Sequence, residues 1–162
     1  MMSVVGKPKA KVQILTDPLL GSVTAAMNWS NLEEIFDRYH GMVDVFLLVV
    51  DRDLDPNRRI ALDNLEEKAK KKCVLLAENA WQELEVWALA AQKGFWKWAE
   101  VRNEKHPKEK YFEPFVVSRG LQDEPGRGRK TLGLEAAAQY SRVRRLCPED
   151  VAALEARVRR AI

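Results

Sequence analysis

The stretch Val43-Asp44-Val45-Phe46-Leu47-Leu48-Val49-Val50, followed at once by Asp51-Arg52-Asp53-Leu54-Asp55-Pro56, decides the fold. Apart from one aspartate, the first part consists of β-branched or large apolar residues, and it ends abruptly in polar ones. Such a run is typical of a strand that is buried on both faces of a parallel sheet. The sequence therefore predicts a central strand with an acidic carboxyl end.

The segments around this strand alternate between strand and helix patterns. A helix is predicted from Asn28 to Gly41, and a lysine-rich helix from Asn57 to Lys72. Short strands are predicted at Lys11–Thr16, where polar and apolar residues alternate, and at Cys73–Ala77. The order strand, helix, strand, helix, strand predicts an α/β fold with a small parallel sheet flanked by helices, of Rossmann-like type.

The second half of the chain is predicted to be mainly helical. Helices are expected at residues 81–92, 95–101, 134–146 and 148–162, with a break at 105–108 and a mobile glycine-rich loop at 119–133. We therefore divide the chain into an α/β core at residues 1–106 and a basic loop with C-terminal helices at 107–162. The two parts are expected to pack as one compact domain.

Composition narrows the class of protein. The 162 residues are 46% hydrophobic and 31% charged, and no apolar run is long enough to span a membrane. The first residues lack a secretory pattern, and Cys73 and Cys147 belong to no close cluster of cysteines and histidines. We expect a soluble cytoplasmic protein with buried thiols and no membrane partner.

Positive charge is concentrated in the back half of the chain. Residues 1–106 carry 15 Lys and Arg against 16 Asp and Glu, whereas residues 107–162 carry 12 against 8. The back half is therefore the better candidate for binding the phosphate backbone of DNA or RNA. The residues predicted to contact phosphates are Arg127, Arg129, Lys130, Arg142 and Arg145.

The acidic strand end is the candidate site. Ligands of open parallel sheets bind at the carboxyl ends of the strands. Asp51 and Asp53 are two residues apart, so their carboxylates can face one point if the extended conformation continues past Val50. Hard oxygen ligands of this kind suit Mg²⁺ or Mn²⁺. The alternative is a solvated turn that caps the next helix, which is the better interpretation of Asp55.

Three glutamates follow the next predicted strand and could complete the site. Glu78 leaves that strand at the same sheet edge as Asp51. Glu83 and Glu85 lie two apart on a predicted helix, so at most one of them can join the site. Acids favoured by a helix N-terminus are the alternative explanation.

These residues carry a family resemblance. The run Phe46–Asp53, the segment Ala77–Trp87 and the pieces His106-Pro107-Lys108-Glu109 and Leu146-Cys147-Pro148 resemble TOPRIM-like proteins of bacterial genomes, which are related to the nuclease domains of OLD-type enzymes. The resemblance implies a TOPRIM fold and a Mg²⁺-dependent nuclease in which Asp51 and Asp53 form the Asp-x-Asp metal motif. It also implies a glutamate on an earlier strand. Only Met1–Ala10 precede Lys11–Thr16, so the chain is expected to lack that first strand–helix unit.

Three functions are compatible with these residues. The first is a Mg²⁺- or Mn²⁺-dependent nuclease with Asp51, Asp53 and Glu85 as metal ligands and Glu83 and Glu78 as catalytic residues. The second is a haloacid-dehalogenase-like phosphotransferase, since an apolar strand ending in Asp-x-Asp resembles that superfamily too. The third is a non-catalytic interaction module with a degenerate acidic site, binding a protein partner or forming a homodimer.

Overall fold

The computed structural model describes residues 1–162 and has a mixed α/β fold. The elements are, in chain order, α1 (Val23–Ala26), α2 (Trp29–Arg38), β1 (Phe46–Asp51), α3 (Arg58–Ala69), β2 (Leu75–Ala80), α4 (Glu85–Ala91), α5 (Trp98–Asn103), a π-helical segment (Lys108–Phe112), α6 (Glu113–Ser118), α7 (Arg129–Ala138), α8 (Tyr140–Leu146), a second π-helical segment (Pro148–Ala152) and α9 (Ala153–Ala161). The predicted α/β class and helical C-terminal part are confirmed.

The chain forms two compact units. The sheet unit comprises Met1–Val50, Pro56–Asn79 and Leu154–Ile162, and the helical unit comprises Asp51–Asp55 and Ala80–Ala153. The border along the chain thus falls at the last residue of β1 and at the last residue of β2. Residue 106, the boundary predicted from the sequence, lies inside the helical unit.

The sheet unit is built on two parallel strands, β1 and β2, connected through α3. On one face, Phe46, Leu48 and Val50 pack in a core with Phe36 of α2. The rings of Phe36 and Phe46 are in edge-to-face contact, with their centroids 4.9 Å apart. On the other face, Val49 and Leu76 contact a small cluster of Val5, Leu154 and Val158. Both faces of β1 are thus covered except at Leu47, which accounts for an almost continuously apolar strand sequence.

The prediction of a third strand at Lys11–Thr16 is wrong for the single chain. These residues have no regular secondary structure, and the side chains of Val12 and Ile14 are 66% and 84% exposed. Alternation of polar and apolar residues marks a segment that can form a strand. A strand also needs a neighbour for its backbone hydrogen bonds, and the structure provides none here.

The helical unit differs from the prediction in its segmentation. The sequence break at 105–108 is followed by a helical stretch from Lys108 to Ser118, which the sequence pattern does not predict. Proline at the start of a helix removes only a donor that has no partner there, so Pro107 precedes this stretch rather than preventing it. Pro114 lies within the stretch, at the second residue of α6. The predicted loop at 119–133 is already helical from Arg129, and the predicted helix 134–146 is interrupted at Gln139.

Two apolar clusters form the core of the helical unit. One surrounds Leu89, Phe112 and Leu132, and the other surrounds Ala90, Val143 and Cys147. Both cysteines are free; Cys147 is buried, as predicted, whereas Cys73 is only partly buried, so the prediction of two buried thiols is wrong for Cys73. None of the helices combines the length and the apolar character that a membrane crossing requires.

Candidate functional site

The turn after β1 and the turn after β2 both belong to the helical unit, and backbone hydrogen bonds join them. The backbone N–H groups of Arg52 and Asp53 both donate to the carbonyl of Gln82, at 2.8 and 3.2 Å. Asp53, Leu54 and Gln82 have positive φ angles of 52°, 60° and 71°. Left-handed backbone at residues other than glycine carries a cost of about 1–3 kcal/mol each and is concentrated at functional sites. The acidic turn therefore has a constrained, energetically unfavourable backbone.

Asp51 is the best placed of the predicted metal ligands. Its Oδ1 accepts a hydrogen bond from the backbone N–H of Leu84 at 2.7 Å. Burial raises the pKa of the carboxyl group and outweighs the Leu84 hydrogen bond, which lowers it, while the charges of Glu85 and Asp53 raise the pKa further. No lysine or arginine forms an ion pair with Asp51. No direct ion pair therefore offsets its negative charge.

Glu83 is in a similar position. Its Oε2 accepts a hydrogen bond from the backbone N–H of Lys108 at 2.7 Å, and it too has no ion-pair partner. Burial raises its pKa, and the charges of Glu109, Glu85 and Asp51 add to the effect. Glu83 and Asp51 therefore belong to one partly desolvated, negatively charged neighbourhood, which favours the protonated form of both acids.

Gln82 lies in the turn after β2. Its amide Oε1 is the one buried side-chain polar atom that has no hydrogen-bond partner. Nearly all buried polar groups in folded proteins are hydrogen-bonded, and an exception is expected where a water, ion or ligand binds. An amide oxygen is also a hard ligand for Mg²⁺ or Ca²⁺. The sequence does not identify Gln82, since nothing in its type or spacing reveals a left-handed backbone.

Asp53 and Glu85 are less suited to the predicted role of metal ligand. β1 ends at Asp51 and Asp53 is left-handed, so the two aspartates do not continue one strand and the expected common direction does not follow. The Glu85 carboxylate forms an ion pair with the Arg129 guanidinium at 2.8 Å and is mostly buried. Arg129 therefore neutralises the acid that was predicted to be the third ligand.

Glu78 is held by arginines in the sheet unit. Its carboxylate contacts Arg59 at 3.0 Å and Arg157 at 3.1 Å, and the residue is only 5% exposed. Glu66 bonds the same two arginines. This network satisfies all four charges, and it gives Glu78 a structural rather than a catalytic environment.

The acidic turn region offers oxygen ligands but no complete metal site. No group of three or more His, Cys, Asp or Glu side chains is arranged as a complete metal site. Mg²⁺, however, commonly binds through one or two carboxylates and completes its shell with water and substrate phosphate. Asp51 and Glu83 are carboxylates of that type, and Gln82 adds a buried amide oxygen next to Glu83 in the chain.

The predicted phosphate-binding residues divide into two groups. Arg142 donates to the carbonyls of Ala90 and Gln92 at 2.9 and 3.2 Å, so it closes the end of α4, and Arg129 is paired with Glu85. Arg127, Lys130 and Arg145 are exposed, and none has a side-chain partner. Only this second group presents uncommitted positive charge.

Lys108 is a further residue of the acidic turn region, and the sequence pattern predicts no role for it. Its backbone N–H donates a hydrogen bond to Glu83, and its ammonium group lies close enough to lower the pKa of Asp51. The ammonium group has one ion-pair partner, Glu109, at 4.0 Å. Lys108 thus adds a positive charge near Asp51 without forming an ion pair with it.

Comparison with known proteins adds nothing to these observations. The chain matches no protein-family model, and neither curated proteins nor solved structures give a significant match.

Proposed function

We propose that the protein catalyses phosphodiester cleavage of nucleic acid with Mg²⁺ or Mn²⁺, at a site formed by Asp51, Glu83 and Gln82. The observation that carries the proposal is the pair of partly buried carboxylates, Asp51 and Glu83, which have raised pKa values and form no ion pair with a lysine or arginine of the protein. Uncompensated charge in a partly desolvated place is unfavourable unless a ligand neutralises it.

The chemistry of these donors supports a hard divalent cation as the ligand. Carboxylate and amide oxygens favour hard divalent cations over the softer metals that cysteine and histidine select. A bound Mg²⁺ would supply charge stabilisation for a phosphoryl group and would lower the pKa of a coordinated water. Asp51 and Glu83 would hold the ion, and the Lys108 ammonium would attract a substrate phosphate.

The exposed cations of the helical unit support a polyanionic substrate. Arg127, Lys130 and Arg145 have no acidic partner, so they remain free to contact phosphates. Contacts of this type give affinity that does not depend on base sequence. The resemblance to TOPRIM-like proteins implies the same chemistry, with Glu83 in the role that a first-strand glutamate has in that family.

A non-catalytic interaction module is the second candidate. It is favoured by the absence of a complete metal site among the acidic and thiol side chains and by the arginines that neutralise Glu85 and Glu78. Such a protein would retain the acidic turn without using it. Metal binding separates the two candidates.

The test combines calorimetric titration with Mn²⁺ and a cleavage assay on single-stranded DNA, duplex DNA and RNA. We expect Mn²⁺ to bind, and we expect Asp51→Asn and Glu83→Gln each to weaken it at least about tenfold and to abolish Mg²⁺-dependent cleavage. Glu100→Gln is the matched control, since Glu100 is an exposed acid of the same unit. Absence of Mn²⁺ binding to the folded wild type would favour the interaction module.

A further inference from the structure

The two outer edges of the sheet differ in whether their backbone groups have hydrogen-bond partners. The register of the strands shows which backbone groups face outwards. The Phe46 N–H donates to the Val74 carbonyl at 2.9 Å. Because backbone groups alternate in direction along a strand, Phe46, Leu48 and Val50 face β2, while the backbone groups of Leu47 and Val49 face away from it. On β2, the same alternation turns the backbone of Ala77 away from β1.

The outer edge of β2 is closed by charged side chains. The Ala77 N–H donates to Glu66 at 2.7 Å, and the Ala77 carbonyl accepts from Arg59 at 2.7 Å and from Arg157 at 2.8 Å. These side chains replace the hydrogen bonds that a neighbouring strand would make. Covering an edge in this way prevents another strand from pairing with it.

The outer edge of β1 has no such cover. The structure gives the outward N–H and C=O groups of Leu47 and Val49 no hydrogen-bond partner. The Leu47 side chain is 45% exposed on the same strand. An apolar edge strand with unpaired backbone groups is a template for an additional strand.

The chain also contains a segment with the pattern of a strand but no partner. Lys11–Thr16 alternates polar and apolar residues and is without regular structure, with Val12 and Ile14 strongly exposed. Leu15 of this segment packs against the sheet-unit core, so the segment is attached to its own chain while its neighbours face outwards. Each molecule thus offers one open edge and one unpaired strand.

We propose that the open edge of β1 binds the Lys11–Thr16 segment of a second copy of this chain, and that the exchange is reciprocal. One contact of this kind would satisfy the unpaired backbone of both elements and would cover Leu47, Val12 and Ile14 together. A reciprocal exchange closes into a symmetric dimer and leaves no edge for further growth. The sealed edge of β2 then ensures that only one side of each sheet pairs.

Molar mass measured by light scattering, from about 1 µM to about 500 µM protein, tests the dimer, since association follows mass action. We expect a dimer that Leu47→Lys and Ile14→Lys each weaken at least about tenfold, because charge is disfavoured within a new apolar strand pair. Leu134→Lys is the matched control, at a leucine of the helical unit whose 66% exposure lies between those of Leu47 and Ile14. A monomer at every concentration, or a dimer that neither edge substitution affects, would overturn the proposal.

Cross-linking identifies the pairing without a disruptive substitution. Two single variants, Ile14→Cys and Leu47→Cys, each with Cys73→Ser, are mixed and treated with a short bis-maleimide. Cys147 does not compete, because burial raises the pKa of its thiol to about 12. We expect a covalent dimer that contains one copy of each variant. If the mixture gives none, while a chain carrying both cysteines cross-links within itself, the segment pairs with its own sheet and the proposal fails.

Discussion

Glu78 and the pair Asp51 and Glu83 are all acids at the carboxyl ends of strands or just beyond them, yet the structure treats them in opposite ways. Glu78 is almost fully buried and is held between Arg59 and Arg157. Asp51 and Glu83 are only partly buried, each accepts a single backbone hydrogen bond, and neither has an ion-pair partner. The first arrangement stabilises the fold, whereas the second leaves two carboxylates without an ion pair, as the proposed metal site requires.

The difference teaches how to distinguish a structural carboxylate from a ligand-binding one. Burial alone does not decide, since Glu78 is the more buried residue. The deciding feature is whether the protein itself supplies the compensating charge. The same criterion sorts the cations, because Arg129 and Arg142 have partners while Arg127 and Lys130 do not.

The largest effect is expected from breaking the Glu78 network. Glu78→Ala leaves two arginines close together without one of their acids, so we expect the free energy of unfolding to fall by about 3 kcal/mol. Urea denaturation measures the change. Glu67→Gln is the control, because Glu67 is an exposed acid of α3 paired only with Lys70, and it should leave the stability nearly unchanged. Equal effects of the two substitutions would remove the contrast with Asp51.

Neutralising Asp51 and Glu83 should have the opposite sign. In the presence of a chelator, the double variant Asp51→Asn and Glu83→Gln should unfold at the same urea concentration as the wild type or at a higher one. The reason is that the substitutions keep the shape of both side chains and remove the repulsion between them. Addition of Mn²⁺ should then stabilise the wild type but not the variant. A clear loss of stability in chelator would show that the pair is structural.

The sequence predicts the parts of the fold that depend on burial. The apolar runs before Asp51 and before Glu78 form the two strands, because a strand covered on both faces has to be apolar along its length. Lys11–Thr16 has a strand pattern and forms no strand in the single chain, because pairing depends on a neighbour that local sequence does not specify. The helical stretch after Pro107 escapes prediction because proline signals both breaks and helix starts.

The candidate site is predictable to a similar extent. Asp51 is identifiable because it directly follows the buried strand, and Glu83 because it follows the next one. The partners of Glu78 and Glu85 come from distant positions, Arg157 and Arg129, so their compensation could not be seen in the sequence. Gln82 carries no sequence signal at all, since its left-handed backbone and unpartnered oxygen arise from tertiary structure.

The pH dependence of stability sharpens the comparison further. Raised pKa values at Asp51 and Glu83 mean that the folded protein binds more protons than the unfolded chain near the ordinary carboxyl pKa. Their contribution to stability therefore declines as pH rises from the ordinary value through the raised one, and is constant above it. The double variant should lack this decline. Urea denaturation in chelator from about pH 4 to about pH 8, comparing variant with wild type, measures it. A wild-type stability that rises relative to the variant over this window would contradict the assignment.

The smallest effects are expected from the arginines and lysines, whose roles depend on whether the side chain has a hydrogen-bond or ion-pair partner. Arg145→Ala removes an exposed guanidinium without a partner, so the fold should be unaffected and binding to DNA or RNA should weaken. Arg142→Ala removes the donors to two carbonyls at the end of α4 and should instead lower stability, by about 1 kcal/mol.

For the triple variant of Arg127, Lys130 and Arg145 to alanine, the slope of log affinity against log salt should flatten by up to about 3 units, since each lost phosphate contact contributes about 0.7 to 0.9. Binding measured from about 50 to about 200 mM salt gives that slope for several unrelated sequences. Uniform weakening across them indicates backbone contacts, and a folded wild type that binds no nucleic acid at the lowest salt would leave the uncommitted cations without the role proposed for them.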